Sequence, residues 1–317
     1  MTLGTPATPI ALNRLPTIGA AVVTMGVFDG VHLGHQHLLR ITRDAAAERG
    51  VASVALVFEP PPIEVLRPGT ELPRLAPVAE NLALVEGTGI DHVLALRFDD
   101  GVRRLSGEDF IAALSPAIEL SGLVMTPQSA FGRDRGGTPD AMRALGTRRR
   151  FDLLLATPLP IDGAPVSSSR VRDAVAAGDV AFAAQLLGRP PSVTGTVVSG
   201  DRRGRELGFP TANLAFDYVP ALPPLGIYAG RASVPECGVG PAHPALVSIG
   251  VRPTFHDEGK MLVEVYLLDF DGDLYDARLR VDFESRLRAE QRFDSVGALV
   301  EQMRDDERRA RAILGIG

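Results

Sequence analysis

Thr211 and Asn213, two residues apart behind a run of glycines, are a pair whose types suggest chemistry. A hydroxyl and an amide carbonyl are hard oxygen donors of the kind Mg²⁺ takes beside substrate phosphates. They close the stretch GTVVSGDRRGRELGFPTANL, from Gly195 to Leu214, where Gly200, Gly204 and Gly208 recur at four-residue intervals among Arg202, Arg203 and Arg205. Glycines spaced in this way suit a loop whose backbone approaches phosphates closely. A Gly-rich hairpin with a solvated basic tip has the same spacing, so the glycines alone do not decide.

A second group lies in MGVFDGVHLGH, where His32 and His35 fall at the turn from a strand into a helix. Free backbone N–H groups and the macrodipole favour anions there, and both histidines can reach a triphosphate. Gly26, Gly30 and Gly34 let the turn close tightly. Three of the six histidines lie between residues 32 and 37, so metal ligation by His32, His35 and His37 competes with phosphate binding. No cysteine or second histidine cluster supplies the remaining ligands. A third group, VSSSRVR from Val166 to Arg172, offers the hydroxyls of Ser167, Ser168 and Ser169 at a helix start, with Arg172 one turn in. That suits phosphate, and equally a plain serine N-cap. Glu264 sits in the alternating run LVEVYLLDF and by itself reads as a solvated strand carboxylate. Arg148, Arg149 and Arg150 read as a solvated charge run.

The elements that must carry these groups differ between the two halves. Ala20–Thr24 reads as a buried strand and His37–Gly50 as a helix with Leu38, Leu39, Ile41 and Ala45 at helical spacing. Gly50 stands where a helix end needs φ > 0. Val51–Phe58 reads as a strand covered on both faces, followed by a long Pro-rich connection from Glu59 to Pro77. Helices are expected over 78–87, after a Ser106/Asp109 capping box, and over 139–145; strands over 91–96, 123–126 and 151–156. Strands alternating with helices imply an α/β fold with a doubly wound parallel sheet, in which ligands bind at the carboxyl ends of the strands. Two short helical patterns, 171–177 and 180–187, lead to Gly188-Arg189-Pro190-Pro191, which places the domain boundary there. From Val193 on, short strands separated by Gly, Pro and Asp predict a small antiparallel β-barrel. A C-terminal helix is expected from Ser295 to about Leu314, with Val296, Leu299, Val300 and Met303 on a common face.

With 317 residues the chain exceeds what one core usually supports, so two domains are expected. It is 45% hydrophobic and 23% charged, ordinary for a globular protein. The net charge of -6 argues against bulk attraction to nucleic acid, so anionic substrates must meet local basic clusters. One cysteine, Cys237, excludes an internal disulfide and suits a reducing compartment. No signal peptide is visible, and no segment approaches the ~20 apolar residues of a membrane span. These features predict a cytoplasmic protein with no nucleic-acid or membrane partner.

GRELGFPTANL resembles the signature of the riboflavin kinase family, and LPPLGIYAG, SIGVRPTF, VEVYLLDFDGDLYDARLRVDF and LRAEQRFDSVGALVEQMRDD follow in the family's order. FDGVHLGH resembles the HxGH motif of nucleotidyltransferases as bacterial FAD synthetases word it, and VSSSRVR resembles their ISSTRIR, with Ser169 for threonine. The resemblance implies an FMN adenylyltransferase-like nucleotidyltransferase domain over residues 1–186 and a riboflavin kinase domain over 187–317. It implies that Glu264 accepts the ribityl hydroxyl's proton as the γ-phosphate is transferred, and that Thr211 and Asn213 hold Mg²⁺. Gly200, Gly204 and Gly208 would face the phosphates, and Arg288, Glu290 and Phe293 the flavin. In the first half it gives Gly26, Phe28, Asp29, Gly34 and Ser167–Ser169 to ATP, with His32, His35 and Arg172 stabilising charge on the triphosphate. The implied small molecules are ATP, riboflavin and FMN.

Two segments depart from the pattern. The family's FxPHP stands here as Phe58-Glu59-Pro60-Pro61-Pro62, and its GxNFRFG as Thr126 to Gly132, keeping only Phe131 and Gly132. Arg133 and Arg135 lie where they could replace the lost charge. Positioning of adenine or flavin is therefore expected to be weaker than in relatives that keep those residues. Two alternatives stand beside the bifunctional reading: a kinase with a degenerate nucleotide-binding first domain, and a non-catalytic flavin-responsive regulator. Retention of Thr211, Asn213 and Glu264 argues against the regulator, and no DNA-binding motif supports it.

Overall fold

The computed structural model describes residues 8–200, 207–234, 239–251 and 261–316. Gly204, the three arginines between 202 and 205, and Cys237 lie outside the described residues. Contacts divide the chain into two units: Met1–Leu72 with Val78–Ser168, and Pro73–Pro77 with Ser169–Gly317.

The first unit is built on a five-stranded parallel sheet of β1 (Gly19–Gly26), β2 (Ala52–Glu59), β3 (His92–Arg97), β4 (Ile118–Met125) and β5 (Asp152–Leu155), in the order β3-β2-β1-β4-β5. The apolar middles of these strands are buried because helices cover both faces. On one face Ala21, Val23, Leu56 and Leu123 pack with Phe110, Ile111 and Leu145; on the other Val22, Ala55, Val57 and Val124 pack with Leu38, Leu39 and Val85. The helices are α1 (Leu33–Arg49), α2 (Pro62–Leu66), α3 (Val78–Glu86), α4 (Asp100–Arg104), α5 (Gly107–Leu114) and α6 (Pro139–Arg149). The chain runs from β1 outward to β2 on one side and returns to β4 on the other, so β1 and β4 flank the point where strand order reverses. In sheets of this kind the crevice for ligand lies there, beyond the strands' carboxyl ends.

Local signals in the sequence account for most helix ends. Gly50 closes α1 at φ 66°, and Ser106 Oγ caps α5 by accepting from Asp109 N–H at 3.1 Å while donating to Asp109 Oδ2 at 2.6 Å. The Pro-rich connection after β2 differs from expectation in two ways. Pro62 opens the short helix α2, as proline suits a first helical position. Residues 73–77 group with the second unit, where Arg74 exchanges backbone hydrogen bonds with Val219 and Ala221 at 2.8 Å each.

The second unit contains α7 (Ser168–Ala176, beyond its first residue), α8 (Val180–Leu187) and a closed barrel of β8 (Ser192–Val198), β9 (Ala212–Ala215), β10 (Gly226–Val234), β11 (Val239–Val251), β12 (Met261–Leu267) and β13 (Arg278–Ala289). Around the barrel the order is β10-β11-β12-β9-β8-β13, all antiparallel. Closure removes sheet edges and lets one face of every strand fill the interior. Val193, Tyr228, Val247, Val263, Val265, Val281 and Phe283 are buried there. Val180 of α8 joins this core, and Gly188 ends α8 at φ 73°.

The C-terminal helix α9 (Val296–Leu314) covers an apolar patch on the barrel's outer face made by Ala229, Leu246, Leu268 and Leu287. Its buried positions are Asp306, Ala310 and Leu314, and Val296 is 63% exposed. Leu299, Val300 and Met303 are half-buried on the same face, so the expected stripe is the one that packs, and only its first residue, Val296, lies clear of the barrel. Periodicity reveals an apolar stripe but not how far along the helix the partner surface reaches; the patch meets the second half.

Candidate active site

In the first unit, the residues between β1 and α1 form a tight turn at the strand-reversal point. His32 caps α1 through its ring, Nδ1 accepting from His35 N–H at 3.2 Å. A ring nitrogen that accepts carries no proton, so the neutral ring holds its hydrogen on Nε2 and can donate from there. The His35 ring stacks on His32 at 3.6 Å between centroids and meets the edge of Phe28 at 5.2 Å. Gly34 is required by space: a Cβ there would stand 2.9 Å from the Val166 carbonyl oxygen. Ser168 Oγ donates to the Asp29 carbonyl at 3.0 Å, joining the serine cluster to this turn.

Arg172 lies in the second unit, where its Nε donates to the Pro73 carbonyl at 2.8 Å. That contact holds the 73–77 segment against α7. Pro61 stands at the N-cap of α2 without a side-chain cap bond. The segment after β4 is a turn closed by Thr126 and Ser129, whose hydroxyls are 2.7 Å apart. Phe131 packs on Phe110 at 5.6 Å, which makes it part of the core.

In the barrel, strand alternation turns Val263 and Val265 inward and Glu264 outward. β9 does the same with Ala212 and Leu214 inward and Asn213 outward. Glu264 and Asn213 are directly paired across the two strands. Thr211 Oγ1 donates to Glu264 Oε1 at 3.4 Å. The hydroxyl, the carboxamide and the carboxylate therefore meet on the barrel's outer face, all half-buried. Gly200 lies against the Asn213 carboxamide, and Gly208 adopts φ 87°, a left-handed value that glycine accepts at no steric cost. Beside this group Phe209 meets Tyr266 edge to face at 5.4 Å, and burial pushes the Tyr266 hydroxyl's pKa up, helped by Glu307 and Asp269.

Arg288, Glu290 and Phe293 sit near one another along the end of β13. Arg288 makes a bidentate pair with Asp306, Nε to Oδ1 at 3.0 Å and Nη2 to Oδ2 at 2.7 Å, and its guanidinium lies 5.7 Å from the centre of the Phe293 ring. Gln302 donates to the same carboxylate at 3.0 Å. Glu290 approaches Gly250 closely enough that a Cβ there would be 3.1 Å from Oε1. Arg288 is thus anchored to α9 as well as placed beside Phe293.

Two of the buried polar residues that the sequence did not single out bear on these sites. Asp306 is 2% exposed; it stands between Asp305 and Glu307, and the signal for it is its place four residues before Ala310 and eight before Leu314 on one helix face. Asn81, in α3, is 7% exposed and bonds the turn before His32: its Oδ1 accepts from Gly30 N–H at 2.9 Å, and its Nδ2 donates to Val27 O at 3.3 Å. Nothing in its sequence neighbourhood marks it. Among the described residues no group of three or more His, Cys, Asp or Glu could hold a metal.

A doubly wound sheet with a histidine-capped helix at its reversal point, followed by a barrel bearing a Thr–Asn–Glu oxygen cluster, defines an α/β protein with two separate candidate sites for nucleotide chemistry. Residues 16–170 match the family model described as FAD synthetase, and residues 187–314 the one described as riboflavin kinase. The chain is 40% identical over 302 residues to a Pseudomonas fluorescens bifunctional riboflavin kinase/FMN adenylyltransferase, covering 95% of each chain. It is 34% identical to the protein of that description from Escherichia coli K12, covering 96% of each, and 31% identical to that from Bacillus subtilis, covering 92% of this chain and 91% of the other. The chain belongs to the bifunctional riboflavin kinase/FMN adenylyltransferase family. Its structure also matches a crystal structure from Streptococcus pneumoniae described as a macrolide-efflux protein, with a TM-score of 0.86 at 29% identity, covering 96% of this chain and 98% of that one. Among the described residues here, no helix is long and apolar enough to cross a membrane.

Proposed function

We propose that this chain phosphorylates riboflavin with ATP to give FMN, and joins FMN to the AMP part of ATP to give FAD with release of pyrophosphate. Residues 187–317 carry the first step and residues 1–186 the second, an assignment supported by the two family matches at 187–314 and 16–170. The observation that carries the reading is the pairing of Glu264 with Asn213, with the Thr211 hydroxyl at 3.4 Å.

In the kinase step the ribityl hydroxyl attacks the γ-phosphorus, its proton passes to Glu264, and ADP leaves. Thr211 and Asn213 fit Mg²⁺, because they offer neutral oxygens and leave most of the coordination shell to phosphate and water. When bound, that ion neutralises charge on the phosphate oxygens. Arg288 acts by holding Phe293, and Glu290 lies beside it, on the flavin side. In the adenylyl step little base chemistry is needed, since a phosphate monoester with a second pKa of ~6 is already largely dianionic at pH 7. The FMN phosphate attacks the α-phosphorus, while His32, through Nε2–H, and His35 stabilise charge on the departing pyrophosphate. The turn closed by Thr126 and Ser129, together with Pro61, leaves adenine or flavin less firmly placed than in relatives with the fuller motifs. The single cysteine suits a reducing compartment, and we place the reactions in the cytoplasm.

The test is one assay of riboflavin, ATP and Mg²⁺ with FMN and FAD separated by chromatography. Wild type should make both. His32→Ala with His35→Ala should make FMN only. FMN without FAD from wild type would reduce the first unit to a binding scaffold, and neither product would refute the reading.

A further inference from the structure

The turn that delivers His32 holds two residues in conformations their side chains disfavour. Phe28 has φ 53° and the β-branched Val31 has φ 39°, a region such side chains rarely enter. Backbone of this kind persists only where its surroundings over-determine it. The restraint here is capture of every second carbonyl by a side chain. Val27 O accepts from Asn81 Nδ2 at 3.3 Å, Asp29 O from Ser168 Oγ at 3.0 Å, and Val31 O from Gln36 Nε2 at 2.9 Å. The three donors come from three helices, α3, α7 and α1. Asn81 alone grips the turn twice, because its Oδ1 also accepts from Gly30 N–H. The amide's orientation follows from its partners, the donor end facing a carbonyl and the acceptor end an N–H.

Carbonyl oxygens carry partial negative charge, so three of them turned toward a polyphosphate would oppose its binding. Drawn onto side-chain donors, they are withdrawn from the site, and the His32 ring stands at the start of α1. We propose that Asn81 is a positioning residue for adenylyl transfer, holding the Val27–Val31 turn with its carbonyls directed into the protein and thereby fixing His32 at the start of α1. The proposal rests on the reading of the first unit as the adenylyltransferase.

Two variants of the full chain test it. Asn81→Ala removes both contacts; Asn81→Asp keeps the shape and the acceptor but replaces the donor by a second acceptor. Riboflavin phosphorylation by the same molecules reports on folding of the other unit, and circular dichroism with thermal melts reports on the whole. Hydrogen exchange of the peptide covering residues 26–36 reads the turn itself, and FAD formation from supplied FMN and ATP reads its use. Both variants should exchange there about 10-fold faster than wild type, as expected for loss of local anchoring. FAD formation should fall by about 10- to 100-fold with riboflavin phosphorylation unchanged, since a displacement of ~1 Å costs that much. In Asn81→Asp the loss should ease as pH falls through the carboxyl's titration, because the protonated acid regains a donor; Asn81→Ala should show no such recovery. Unchanged exchange over 26–36 overturns the proposal, and so does faster exchange with wild-type FAD formation. If Asn81→Ala does not fold, Asn81→Asp and Gln36→Leu carry the same comparison. A wild type that makes no FAD refutes the adenylyltransferase reading instead, and the exchange measurement then decides whether Asn81 holds the turn.

Discussion

Gly200 lies so close to Asn213 that a Cβ on it would stand 2.7 Å from the Asn213 Cγ and 2.9 Å from its Oδ1. The glycine is thus fixed by the side chain it must not displace. Gly200→Ala should swing the carboxamide away from Glu264 while leaving the barrel folded, because the conflict is with a side chain on the outer face. FMN formation should fall by roughly 10²-fold, the usual cost of ~1 Å misplacement at a reacting centre. FAD formation from supplied FMN should stay unchanged. Wild-type FMN formation would show that the Asn213 position does not matter to the kinase step.

Glu264→Gln keeps the shape of the side chain and removes its ability to take a proton. FMN formation should drop ~10²–10⁴-fold, the range for loss of a general base. Thr211→Ala and Asn213→Ala should instead shift activity to higher Mg²⁺ concentration. Steady-state rates across a magnesium titration separate the two effects. A folded Glu264→Gln variant with near-normal turnover would remove that residue from the mechanism.

The Arg288–Asp306 pair is buried, with side chains 11% and 3% exposed. Removing one partner of such a pair leaves an uncompensated charge, at a cost of about 3–5 kcal/mol. Asp306→Ala should destabilise the second unit by that order and loosen Phe293, raising the KM for riboflavin. The paired change Asp306→Leu with Arg288→Met should recover much of the stability but not the KM. Urea unfolding followed through kinase activity tests the first part, and riboflavin titration the second.

Asp91 anchors the start of β3 to β2: Ser53 Oγ and Ser53 N–H donate to its Oδ2 at 2.7 and 2.9 Å. These bonds, the hydroxyl's first, hold its carboxyl below the usual carboxylate range. A depressed folded value adds stability above the unfolded pKa of ~3.9, and that stability is lost as pH falls through the folded value. Asp91→Asn should therefore melt below wild type at pH 7, with the gap closing as pH drops below about 4. A gap independent of pH would assign the effect to shape rather than charge.

Much of this architecture was legible in the chain because it depends on local chemistry. The apolar runs at 51–58 and 123–126 mark parallel strands because both faces are covered, although β4 begins earlier, at Ile118, through the more polar Glu119 and Ser121. Glycines 50 and 188 stop helices by taking φ of 66° and 73°. The alternation that puts Glu264 opposite Val263 and Val265 is likewise a property of any strand. Helix α9 shows the limit of such signals. Its stripe was readable, yet Val296 is exposed and Asp306 buried, because the barrel patch that covers it is assembled from β10, β11 and β13.

By itself the sequence determined the two-part α/β-then-barrel plan, the helix stops, and the residue types at both sites. Periodicity, turn residues and hydroxyl or carboxylate chemistry act over a few positions and need no partner. Only the tertiary structure decided which of those residues meet. It paired Asn213 with Glu264 across 51 positions of chain, drew Asn81 onto the turn before His32, set Arg172 on the Pro73 carbonyl, and seated Arg288 on Asp306. Each of those contacts joins groups distant in sequence, and their geometry is fixed by strand register and helix packing, which no local pattern encodes.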